Sequence, residues 1–174
     1  MKRHSILGMS GVTLLACAAL GGSAGAQQKV LKEQLVGAWT LVSIDETAKG
    51  TKRQELGANP KGTLILDASG RYAEVRSKLD RPKFAANGVM GTTADIVRDT
   101  PAAEFGEAAR AFVAFFGAWS VNEADNTLIR NLEGALIPNS EGRQSKSAIS
   151  LVGDELRLSS TSASGEKSDA VYKR

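Results

Sequence analysis

The side chains that could do chemistry in this chain are arginines, carboxylates and tyrosines. The only histidine is His4 and the only cysteine is Cys17, and both lie in an N-terminal stretch that reads as a removable leader. Beyond that leader there is no Ser-His-Asp or Cys-His nucleophile system, no zinc site of His or Cys ligands and no disulfide. A histidine proton shuttle near neutral pH is excluded on the same ground. What remains is Tyr72, Glu74 and Glu133 for acid-base work and a set of arginines for holding an anion. In "RYAEVRS", Tyr72, Glu74 and Arg76 share one face of a strand and Ala73 and Val75 the other, an alternation that fits a strand between a wet and a dry side. Arg76 and Arg81, in "RSKLDRPK", could clamp a ligand carboxylate through a bidentate fork, or could belong to a solvated loop that Asp80 partly neutralises. Arg130 points inward if Leu128, Arg130 and Leu132 turn in, and that buried cation would need Glu74 or Glu133 as partner. If Ile129 and Asn131 turn in instead, Arg130 is exposed. No Gly-rich phosphate loop, metal-ligand cluster or nucleotide fingerprint is present, so neither cofactor nor metal is expected.

The elements that must position these residues begin after the leader. "MKRHS" is basic, Ile6 to Leu20 is apolar, and "GGSAGA" ends the stretch in small residues, the pattern of a secretory signal peptide cleaved after Ala26. The apolar run is too short for a comfortable transmembrane helix, which needs roughly 20 residues. "LLAC" offers a competing lipobox reading, in which Cys17 carries a lipid anchor. The expected division is therefore a signal peptide over 1–26 and one domain over 27–174, periplasmic or secreted, with no transmembrane segment in the mature chain. The formal net charge is +3, and Lys2 and Arg3 supply two of those charges, leaving about +1. That is no footprint for nucleic acid.

Strand-like runs follow at Gly37–Glu46, Gly62–Asp67, Arg71–Ser77, Ala118–Glu123, Thr127–Leu136, Gln144–Val152, Glu155–Thr161 and Ala170–Arg174. Short turns such as "ASG" and "GD" mark hairpins between them. Lys78 to Thr100 has no clear period, and a connection that long is usually functional or disordered. After it, "PAAEFGEAARAFVAFFG" predicts a helix from Pro101 to a stop at Gly117. Phe105, Ala108, Ala109, Phe112, Phe115 and Phe116 would form its apolar stripe. Eight short strands with hairpin spacing and one helix lead to the expectation of an all-β fold, an up-and-down barrel or a sandwich.

Both tryptophans sit third in a Gly-Ala-Trp triplet, at Trp39 and Trp119. Two such triplets suggest two strand starts, each placing an indole inside a small barrel. Gly37-Ala38-Trp39 resembles the G-x-W signature of lipocalins. The blocks "LVGAWTLVS", "NPKGTLILDASGRYAEV", "DRPKF", "AFFGAWSVNEADNTL", "LEGALIPNSEG" and "GDELRLSS" resemble, in order, those of the bacterial and fungal lipocalin-like domain family. Of the two folds the resemblance implies the barrel, all-β with one helix and an eight-stranded antiparallel up-and-down β-barrel of the calycin type, in which Arg174 packs over Trp39 and closes one end. This chain departs from the family where members often carry His-His, having Arg130-Asn131, and has Tyr172 where they usually end in W-x-R.

The function expected from these readings is binding of a small, largely apolar or amphipathic and possibly anionic molecule in the barrel. Phe112, Phe116, Trp119, Arg130, Arg81 and Arg76 are the pocket candidates, with the phenylalanines either lining a cavity or simply filling the barrel mouth. Two alternatives stand beside it. One is a barrel isomerase or cyclase using carboxylate or tyrosine acid-base chemistry. The other is a filled barrel acting as an envelope interaction or stress protein.

Overall fold

A computed structural model describes residues 30–81, 83, 84, 95 and 100–174. The expected leader, with Cys17, and most of the loop between Lys78 and Thr100 lie outside the described residues. The strands are β1 (Gly37–Ala48), β2 (Thr51–Arg53), β3 (Lys61–Leu66), β4 (Arg71–Ser77), β5 (Phe112–Asn122), β6 (Thr127–Ala135), β7 (Gln144–Val152), β8 (Glu155–Thr161) and β9 (Lys167–Lys173). From β3 to β9 each strand pairs antiparallel with its sequence neighbours, β1 pairs with β3, and β1 also pairs with β9 over Thr40 to Thr47. That last ladder closes an eight-stranded up-and-down barrel. β2 is an extra strand hung on the end of β1, where Lys49 and Gly50 adopt φ of 50° and 76°, the two positive values of a tight hairpin turn.

The Trp39 end of the barrel is closed. α1 (Leu31–Leu35) lies across it, with the Glu123 carboxylate accepting the backbone N–H groups of Leu31 and Lys32 at 3.1 and 2.9 Å. Leu35 is fully buried, and its carbonyl accepts the indole N–H of Trp39 at 2.8 Å. The Arg174 guanidinium lies 4.5 Å from the centre of the Trp39 ring, and its Nη1 donates to the Gln34 carbonyl at 3.0 Å. Trp119 is buried at the same end, with its indole N–H donating to the Asp67 carbonyl in the β3–β4 turn. Leu64, Leu66, Leu128 and Leu156 join the two indoles in one apolar cluster.

The expected helix is corrected by the structure. α2 covers only Ala102–Arg110, and Ala111, at φ −89° and ψ 11°, leads straight into β5. Phe105 stays on the helix, whereas Phe112, Phe115 and Phe116 belong to the strand. The stripe of apolar residues fits a helical period, but Phe-Val-Ala-Phe-Phe is also a run of aromatic and β-branched residues, which favour strands. Seven residue pairs with β4, from Ser77↔Phe112 to Arg71↔Ala118, settle it in favour of the strand. The second Gly-Ala-Trp triplet therefore lies inside a strand and starts none. Its Gly117 follows a register shift in the β5–β6 ladder and faces the Asn131 carbonyl so closely that no Cβ could fit.

Candidate functional site

The inward residues change character along the barrel axis. At the closed end they are Trp39, Leu66, Trp119, Leu128 and Leu156. One layer further in, the polar face of β4 turns toward the barrel axis: Tyr72 and Glu74 are buried, while Ala73 and Val75 face outward. The wet side of that alternation is thus the interior. At the open end the cavity wall is polar.

Glu74 is the hub of the middle layer and has no exposed surface. Arg76 Nε donates to its Oε1 at 2.6 Å, Arg130 Nη1 donates to its Oε2 at 2.6 Å, and the Tyr172 hydroxyl donates to Oε1 at 2.5 Å. Arg130 Nη2 also donates to the Ser145 and Ser147 hydroxyls, both at 3.3 Å, while its buried Nε has no partner among the described residues. Arg76 forms no further hydrogen bond among the described residues, and its guanidinium carbon lies 6.0 Å from the centre of the inward Phe115 ring. The four groups come from β4, β6 and β9, so the closed ladder β1–β9 is needed to bring them together.

Burial works to raise the Glu74 pKa, but the charges of Arg76 and Arg130, with hydrogen bonds from Arg76 and Tyr172, outweigh it and hold the carboxyl at about 2. Burial, and then the Glu74 charge, push the Tyr172 hydroxyl well above its ordinary value. At neutral pH the cluster therefore holds an ionised carboxylate, a protonated phenol and two guanidiniums. Two cations meet one anion.

A cavity of about 820 Å³ opens at the mouth beyond this layer. Glu46, Glu55, Ser145, Lys146, Ser160 and Ser168 are among its walls. It borders the cluster through Ser145, which touches Arg130, and Glu46, which feels the charge of Arg76. Burial, then repulsion from Glu55, raise the Glu46 pKa, while the Arg76 charge pulls it back down. Glu46 thus acts on Arg76 through its charge, and no hydrogen bond joins the two among the described residues.

Arg76, Arg130 and Trp119 all face the interior, and the first two belong to one cluster. Of the two partners weighed for Arg130, Glu74 takes the role. Glu133 sits outside the barrel in a bidentate pair with Arg71, at 2.6 and 2.7 Å. Phe112 and Phe116 share the outer face of β5 with Ala114. Both were expected at a cavity on the helical stripe, and their placement on a strand turns them away from it. Phe116 is 53% exposed and lies flat over Gly134. Arg81 is also outside, stacked 4.7 Å from the centre of the Phe112 ring and donating to the Ala108 carbonyl near the end of α2. Glu46, Ser145 and Ser147 carried no signal in the sequence beyond the alternation of their strands. Among the described residues no cluster of His, Cys, Asp or Glu could hold a metal ion, and no helix is long and apolar enough to cross a membrane.

A family profile described as lipocalin-like domain matches residues 36–172. No curated protein matches the chain. A solved structure described as a redesigned beta barrel is similar over 84% of this chain and 96% of its own length. Its identity is 12% and its TM-score 0.42, too low a likeness to support an argument about function.

Proposed function

The chain belongs to the lipocalin-like domain family, and from that premise we propose that it binds a small molecule with an anionic group, seated in the barrel mouth with its acid toward Arg76 and Arg130. The observation that carries this reading is the charge count of the buried layer: two guanidiniums against one carboxylate, beside a cavity of about 820 Å³. A surplus buried cation is costly unless an anion neutralises it. Arg76 commits only Nε within the described residues, which leaves the paired Nη groups for a bidentate acid.

The acid-base alternative finds less support in the same groups. A carboxyl at about 2 and a phenol raised above its ordinary range exchange no proton near neutral pH. The interaction alternative draws on the exposed outer face around Phe116, Ile65 and Ile137. The cavity beside the charged layer supports ligand binding over it. The leader-like pattern of Met1 to Ala26 supports placing this binding in the periplasm or outside the cell.

Native mass spectrometry of the protein isolated from its own host tests the reading. The expected result is an adduct that is lost on denaturation and is absent from Arg76→Gln. That variant leaves Glu74 balanced by Arg130 and so is expected to fold. A clean ligand-free mass, or an adduct retained by the variant, would contradict the reading.

A further inference from the structure

The walls of the mouth say more about the ligand than its charge. The inward positions of β7, β8 and β9 that line the mouth are polar, Ser145, Ser160 and Ser168, and β1 adds Glu46 with Ala48 beyond it. Ser160 and Ser168 stand directly opposite each other across the β8–β9 ladder. Gln144, Thr47, Thr161 and Ser162 add amide and hydroxyl groups to the same wall, and its only apolar side chains among the described residues are the methyl groups of Ala48 and Ala163. The apolar side chains beneath the mouth, Ile44, Leu56, Leu158 and Ala170, are buried in the same cluster as Trp39 and Trp119 and do not line the cavity.

This arrangement bears on what can enter. An alkyl chain in the mouth would strip water from serine hydroxyls, glutamates and lysines and return no hydrogen bond to any of them. The wall would offer it only two methyl groups, and the apolar interior beneath is already filled by side chains. A body that carries its own hydroxyl or amide groups replaces the lost water at each position. We infer that the ligand is a small hydrophilic organic acid, with hydroxyl or amide groups on its body, and that a long-chain fatty acid is discriminated against. This inference rests on the anion-site reading above and narrows it. It also replaces the expectation of a largely apolar ligand, which depended on placing Phe112 and Phe116 at the cavity.

The test is isothermal titration calorimetry with three sodium salts at constant ionic strength: D-gluconate for a hydroxylated acid, N-acetylglycinate for an amide-bearing one and octanoate for an apolar one. Gluconate or N-acetylglycinate is expected to bind at least about tenfold more tightly than octanoate, a difference that hydrogen-bonding walls readily supply. Arg76→Gln is expected to abolish that binding. Ser160→Ala combined with Ser168→Ala, at partly exposed positions that do not threaten the fold, is expected to weaken the better hydrophilic acid while leaving octanoate unchanged. The relative response to the two hydrophilic acids tells hydroxyl from amide recognition. Tighter, Arg76-dependent binding of octanoate would overturn the hydrophilic assignment and leave the anion site standing. Absence of any Arg76-dependent binding would overturn both.

Discussion

Glu74 joins three strands through one carboxylate, accepting from Arg76 on its own strand, Arg130 on β6 and Tyr172 on β9. Its pKa of about 2 lies below the ordinary 4.5, so its ionised form stabilises the fold. That contribution is complete above about pH 4.5 and is lost as pH falls toward 2, and linkage puts it at a few kcal/mol. Acid denaturation followed by circular dichroism is expected to show a steep loss of stability in that window. Glu74→Gln is expected to flatten the dependence there and to cost about 3–5 kcal/mol at neutral pH, because it leaves two buried guanidiniums without an anion. An unchanged acid profile in the variant would remove Glu74 from its central place. The pairing with Arg130 was one of two arrangements open to the sequence. Leu128 and Leu132 argue for the inward face and Ile129 for the other, and periodicity cannot separate faces that both carry an aliphatic residue. Ser145 and Ser147 were illegible for a different reason: hydrophobic patterning marks interiors by apolar residues, and this interior layer is polar.

At the scale of elements, β5 carries the strongest local demands. It pairs with β4 and β6, shifts register between Phe116 and Gly117, and brings Trp119 inside. Two of its contacts with β6 are glycine-dependent in different ways. A Cβ at Gly117 would collide with the Asn131 carbonyl, which is held in the sheet and cannot move aside. A Cβ at Gly134 would meet the ring of Phe116, a half-exposed side chain that can swing into solvent. Gly117→Ala is therefore expected to cost about 2 kcal/mol or more and Gly134→Ala under about 1 kcal/mol, both read from denaturant midpoints. Equal costs would contradict this account of the bulge. Most strands were legible from alternation and turn residues, including the hairpin at Gly153, whose φ is 57°. The β5 start was not, because Phe112, Phe115 and Phe116 satisfy a helical spacing as well as a strand composition, and only the partner strands decide between them. β2 was missed because three polar residues carry no periodic signal; the turn at Lys49-Gly50 forms it.

Across the whole molecule, the barrel is graded from an apolar closed end, through a charged layer, to a hydrophilic mouth. The closed end explains why both tryptophans recur in the same triplet. Each buries an indole there and hands its N–H to a backbone carbonyl, Leu35 for Trp39 and Asp67 for Trp119. The middle layer has one cation more than it has anions, and the cavity lies where an anion could reach it. Arginine side-chain NMR during titration of the folded protein with sodium acetate, at constant ionic strength, tests this most directly, because acetate offers a carboxylate and almost nothing else. The account predicts a saturable shift of the Arg76 guanidinium resonances, with the exposed Arg71 and Arg157 responding only weakly and linearly. An Arg76 signal that moves no more than that of Arg157 would contradict it.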